Sequence, residues 1–189
     1  MSIKQYVARL DSVITKTASV VIFRASYDMQ LVVQRLSNER EIKMQTFVPF
    51  ADIKKCAEVL DLKRLGKQRS ESKIILQTLA KKATAPESAK IGWKNHPAVL
   101  MWEGHEDFLR LYSISICTEW ISRGCMDTTL SWFIEGFSWD YKPTPPLWWG
   151  DERVHESHRS KLLSKNLDHY GTYFSSTPSD LDYFWPITK

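Results

Sequence analysis

The chain has 189 residues and a formal net charge of +4, from 26 Lys and Arg against 22 Asp and Glu. With 43% hydrophobic and 25% charged residues it is not a disordered chain, and seven Gly and eight Pro exclude collagen-like and low-complexity classes. No apolar run approaches the roughly 20 residues that span a bilayer. Val20 to Phe23 is too short for a signal-peptide core, so a cytoplasmic address with no membrane partner is expected.

The length suits one domain with an extension: residues 1–43 as an N-terminal extension of unknown role and residues 44–189 as a helical domain. Charge divides along the chain. Residues 1–43 carry net +3, residues 44–96 net +6, and residues 97–189 net −5. A segment as basic as the middle one suits an anionic partner, nucleic acid first, or is simply a solvated lysine face. Cys56, Cys117 and Cys125 are odd in number and lack CxxC spacing, so reduced thiols are expected and no metal set is assigned. Eight Trp, seven Tyr and eight Phe either fill a core or stack on bases.

In the extension, Lys4–Ile14 has helical spacing, Ser19–Arg24 reads as a short strand, and Asp28–Leu36 fits either. Met44 to Phe50 is an extended stretch broken by Pro49. Ala51–Leu60 carries an apolar helical face at Ile53, Cys56, Ala57 and Leu60. Lys67–Lys82 is predicted as a second helix with Ile75, Leu76 and Leu79 inward and Gly66 at its entrance. Pro97–Arg123 is predicted as one long central helix: Pro97 suits its first turn, apolar residues recur every three or four positions, and Gly124 caps its end. A short helix is expected within Asp127–Phe137, a rigid linker at Lys142–Pro146, a helix over Asp151–Ser164, and a loop-rich aromatic tail from Asp168 to Trp185. The fold class is all-α, a compact helical bundle.

Three constellations carry chemistry. On a helix, Arg64, Lys67, Gln68 and Glu71 share one face, where cations around one carboxylate either grip phosphates and keep Glu71 ionised as a base or form a capping ion-pair network. Trp93-Lys94-Asn95-His96-Pro97 places an imidazole just before a helix, as an acid/base, a phosphate holder or a loop-fixing partner. Trp148-Trp149-Gly150 precedes a helix with His155, His158 and Arg159; HxxH lacks a third metal ligand, and the Arg159 fork suits phosphate or carboxylate. No P-loop, GxSxG elbow or HExxH occurs.

Met44-Gln-Thr-Phe-Val-Pro-Phe, Leu60-Asp61 with Arg64-Leu-Gly-Lys-Gln-Arg69 and Glu71, Trp93 with His96-Pro97-Ala98 and Met101-Trp102 form an ordered set. Glu119-Trp120, Arg123-Gly124, Asp127-Thr128, Pro146 to Gly150, His155, Ser157-His158-Arg159, Lys165, His169-Tyr170 and Trp185-Pro186 continue it. Over about Met44 to Pro186 this set resembles a group of bacterial and phage proteins placed with the pyrimidine-dimer DNA glycosylases of the phage endonuclease V type. The resemblance implies an all-helical domain that binds the phosphate backbone of duplex DNA, extrudes a nucleotide and needs no cofactor. It further implies cleavage of the N-glycosidic bond by a terminal α-amine through an imine at the sugar C1′, with glutamate assistance, then β-elimination. Carried onto this chain, it gives Glu71, Gln68, Lys67 and His96 as catalytic candidates. Arg64, Arg69, Asn95, Trp93, His155, His158, Arg159 and Trp148 are the substrate-binding candidates.

Two departures stand out. The family's start aligns with Met44, whose nitrogen is an amide while residues 1–43 are attached, and its Arg-Glu pair aligns with Lys67-Gln68. Glutamine is no base, so Glu71 is the carboxylate one turn on that substitutes. The nucleophile is then a freed amine at the start of the domain, Lys67 or an activated water. A non-catalytic nucleic-acid or nucleotide binder on the same scaffold, and a protein-interaction module, are the other functional classes; the oligomeric state is left open.

Overall fold

The computed structural model describes residues 44–86 and 88–187, which belong to one compact unit, Met44–Lys189. The expectations for Lys4–Ile14, Ser19–Arg24 and Asp28–Leu36 lie outside the described residues. The described residues form seven helices and no strand: α1 (Ile53–Val59), α2 (Leu62–Thr84), α3 (Pro97–Leu100), α4 (Glu106–Ser122), α5 (Leu130–Ile134), α6 (Glu152–Leu163) and α7 (Leu167–Tyr170). The all-α expectation holds. None of these helices is long and apolar enough to cross a membrane.

The chain enters the core as an extended segment, Met44–Val48, buried along its length. Asp52 then caps α1 by accepting from the Lys55 N–H at 2.9 Å. Arg123, from the far end of α4, collects the carbonyls at the end of α1: its guanidinium donates to Leu60 O at 2.6 Å and Glu58 O at 2.8 Å, while Glu119 holds its Nε at 2.7 Å. A helix end whose carbonyls would lack partners is thus closed by a side chain sixty residues away.

The longest helix is α2, and it begins five residues before the predicted start. Asp61 caps it, accepting from Arg64 N at 2.8 Å. Leu65, Gln68, Ser72, Ile75, Leu76 and Leu79 form its buried face, packed against Phe108, Leu109, Tyr112, Ile116 and Cys117 of α4. Gly66 lies inside the helix and not at its entrance. A Cβ there would lie 2.9 Å from the Trp120 ring, so the glycine permits close approach of α2 and α4.

The predicted long helix over Pro97–Arg123 is two helices. α3 ends at Leu100, the chain turns through Met101–Gly104 with Gly104 at φ +79°, and α4 restarts after His105. Turn hydrogen bonds such as Trp102 N to Val99 O (3.1 Å) and His105 N to Trp102 O (2.9 Å) keep Met101 and Trp102 on the core side, so the apolar period survives a break in the helix. Glu106 and Asp107 in the first turn of α4 complement the new dipole. Trp148 Nε1–H donates to the Met101 carbonyl at 2.9 Å, giving one carbonyl freed by the break a partner. Gly124, at φ +78°, follows the end of α4 as predicted.

Replacing Gly66 by Ala sets a helix-propensity gain of about 1 kcal/mol against overpacking at Trp120, which typically costs 1–3 kcal/mol. Gly66→Ala is expected to lower the melting temperature by roughly 2–4 °C; an unchanged or raised value in a thermal melt counts against the close approach.

Candidate functional site

An extended segment buried with no strand beside it among the described residues must satisfy its peptide groups some other way. Here side chains do it. Gln68 Oε1 accepts from Phe47 N–H at 2.8 Å, and its Nε2 donates to Gln45 O at 2.8 Å and to Glu71 Oε2 at 2.8 Å. The Tyr112 hydroxyl lies 2.9 Å from Phe47 O and 3.1 Å from Gln68 Oε1. Trp102 Nε1–H donates to Thr46 Oγ1 at 2.7 Å. Arg159 donates to Pro49 O at 2.9 Å and pairs with Glu152.

His155 and His158, one turn apart on α6, bracket the Val48 peptide. His158 Nδ1 accepts from Val48 N–H at 2.9 Å, which puts its proton on Nε2. That proton faces the Gln45 side-chain amide at 3.0 Å, so the amide oxygen is the partner this tautomer requires. His155 is the opposite tautomer: Gly150 N–H donates to Nε2 at 3.1 Å, so Nδ1–H donates to Val48 O at 2.7 Å. All four ring nitrogens are therefore used inside the protein.

Glu71 sits at the edge of this network, 5% exposed. Lys67 Nζ lies 3.3 Å from its Oε1, which makes no hydrogen bond among the described residues. Burial raises the Glu71 pKa above the usual carboxylate range; Lys67, the Gln45 backbone N–H and Lys165 act against that rise. A carboxylate at position 68 would have no N–H to offer Gln45 O and would place two negative charges side by side. Gln68 thus sets an N–H donor, and no second negative charge, beside Glu71.

The other predicted residues divide between scaffold and surface. Gln68 and His158 are fully buried, His155 and Trp148 nearly so, and each is bonded to main chain; none presents a free edge to a ligand here. Arg64 pairs with Asp61 at 3.0 Å and donates to Lys165 O at 2.9 Å. Arg69 pairs with Asp127 at 2.5 Å and lies over Trp120, 4.5 Å from the ring centroid. His96 caps α3, accepting from Ala98 N–H at 3.1 Å, and Asn95 is exposed. Trp93 is 43% exposed at φ +66°, a backbone conformation that costs on the order of 1 kcal/mol or more for a bulky residue.

The structure brings Glu71, Lys67, Gln68 and His158 together through Gln45. A run of ring contacts, His96–Trp185–Tyr183–His158, joins the second constellation to the third. Tyr183 was not singled out from sequence. Burial, and then the Glu71 charge, raise its phenol pKa, so it lies within the electrostatic reach of the carboxylate. Tyr112 and Gln45 were equally missed as polar groups: one was read only as part of an apolar period, the other only as part of a motif.

Compared with known proteins, residues 44–133 match the family model described as pyrimidine dimer DNA glycosylase. No curated protein and no solved structure matches the chain. The match supports the superfamily resemblance read from the motifs and runs from the buried extended segment to Phe133 in α5; α6, with its two histidines, lies beyond it. The matched segment is just under half of the chain, and the description it matches is that of a DNA glycosylase.

Burial, reinforced by His155, pulls the His158 imidazole down to about 3. An unfolded histidine takes up its proton near pH 6.5, so between these values the unfolded state binds more protons and stability falls as pH falls. Chemical denaturation is expected to show stability dropping below about pH 6.5, by roughly 4–5 kcal/mol if followed to pH 3. His158→Gln, less stable at pH 7, flattens that limb; an equally steep limb in the variant would remove His158 as its source.

Proposed function

We propose, on the premise of that family match, that the domain acts on duplex DNA as an N-glycosylase for a damaged or modified base, with Glu71 as its carboxylate. The observation that carries the reading is Glu71 itself. It is a nearly buried carboxylate with one oxygen fixed by Gln68 and the other held only by an ion pair to a half-exposed lysine, beside the first residues of the matched segment. That lysine side chain is 55% exposed, so the pair opens toward solvent.

The chemistry needs a nucleophile at the sugar C1′ and a base beside it. If water attacks, Glu71 takes its proton while the new C1′–O bond forms. The C1′–N bond breaks, its electron pair stays on the leaving base, and that base is protonated in turn. An amine, either Lys67 or one freed at the start of the domain, would attack the same carbon and use Glu71 in the same way. Extrusion of the nucleotide supplies access, and exposed cations on α2, Lys63 and Lys67 among them, suit the phosphate backbone.

Gln68 favours a second reading. At the position aligned with the family's glutamate, the side chain is spent on main-chain bonds, which suits a scaffold that binds DNA without cutting it.

The two readings part on one substitution. Glu71→Gln is expected to cut base release from an irradiated or otherwise damaged duplex by a hundredfold or more, with salt-dependent DNA binding retained. Activity in the wild type should rise with pH through a midpoint above the ordinary glutamate value of about 4.3. Lys67→Gln, which removes a charge that lowers the Glu71 pKa, should move that midpoint higher. Binding with no base release from any damaged duplex would leave the non-catalytic reading.

A further inference from the structure

We propose that Trp93 and the lysines beside it form a second nucleic-acid subsite, in which the indole stacks on an unpaired base while Lys81 and Lys90 hold the neighbouring phosphates. The inference rests on the reading that the domain engages DNA, and says where a base outside the Glu71 site goes.

Trp93 is the one non-glycine among the described residues with positive φ. A sequence selected for stability alone would place glycine or asparagine there. Instead the position carries the largest side chain and leaves it 43% exposed, with the His96 ring 5.3 Å away against it. Strain of this kind with exposure points to use of the side chain.

The indole borders a concavity of about 280 Å³ lined also by Ile74, Thr78, Lys81 and Lys90. That size lies just below the range of drug-sized ligand sites and suits a single ring system. No carboxylate lines it, and neither lysine has an ion pair among the described residues. Lys94 lines the adjoining cavity of about 370 Å³ and extends the positive surface. An exposed ring beside two isoleucines and two ammonium groups matches a base with its phosphates, and flat stacking of this sort tolerates any base.

The position also relates to Glu71. Ile74 and Thr78 follow Glu71 at i+3 and i+7, on the same face of α2. Seven residues at 1.5 Å each put Thr78 about 10 Å along the helix, roughly three base steps of a DNA strand. One strand can therefore reach both places.

The test uses the full chain and three fluorescein-labelled probes: a matched duplex, the same duplex with a single-nucleotide bulge, and a matched duplex bearing one damaged base. The wild type should prefer the bulged duplex to the matched one. Trp93→Gly removes the ring while keeping a backbone that glycine adopts freely, and should abolish that preference, weakening bulge binding about tenfold. Trp93→Phe should restore most of it. Lys81→Gln and Lys90→Gln should each reduce the salt slope of binding by about one. If Trp93→Gly keeps the bulge preference while the wild type releases the damaged base, the subsite is wrong and the glycosylase reading stands. If the preference depends on Trp93 but no base is released, the subsite stands and the glycosylase reading fails. Absence of binding to every probe at low salt overturns the subsite as well.

Discussion

Burying a stretch of extended backbone with no partner strand among the described residues leaves peptide groups that must all be bonded, since each orphaned N–H or C=O costs about 1–3 kcal/mol. Residues 44–49 meet that demand with side chains drawn from three helices. Gln68 comes from α2, Tyr112 from α4, and His155, His158 and Arg159 from α6. Each helix is thereby registered against the same few peptide units. The apolar packing of α2 on α4 holds the helices together, but it is the bonded segment that specifies how they meet, because hydrogen bonds to main chain tolerate little slippage.

The same constraint decides which groups remain for chemistry. Two imidazoles, a glutamine, an arginine and a tryptophan that carry reactive or ligand-binding potential on paper are committed to the scaffold. What is left is narrower: a buried carboxylate with one under-used oxygen, the lysine beside it, and, further along α2, a surface of cations bordered by the exposed Trp93 indole. The Gln68 side chain joins the two parts. It ties the extended segment down and fixes one Glu71 oxygen through the same amide, so scaffold and candidate site are set by a single group.

Much of the helical layout was legible in sequence because burial on one side leaves a period of three to four. Ile75, Leu76 and Leu79 point inward as their spacing requires, and Pro97 and Gly124 mark a start and a stop. The break after Leu100 was not legible, because the turn through Gly104 carries Met101 and Trp102 along the core with the same period a helix would have. Gly66 could not be read as a contact point without Trp120, fifty-four residues away. The site was half legible. The spacing that gathers Lys67, Gln68 and Glu71 on one face is local and survives folding. The roles of His155 and His158 are not local: an imidazole's chemistry is visible in sequence, but whether its nitrogens face solvent or the Val48 peptide depends on a segment more than a hundred residues earlier.

The claim that side chains take the place of a strand at residues 44–49 is tested most directly by native-state hydrogen exchange at single amides. The Phe47 and Val48 N–H groups donate to side chains, Gln68 and His158, yet should exchange as slowly as the buried turns of α2 and α4, opening only with global unfolding. Exchange at these two amides as fast as in the exposed loop around residues 176–180 would contradict it.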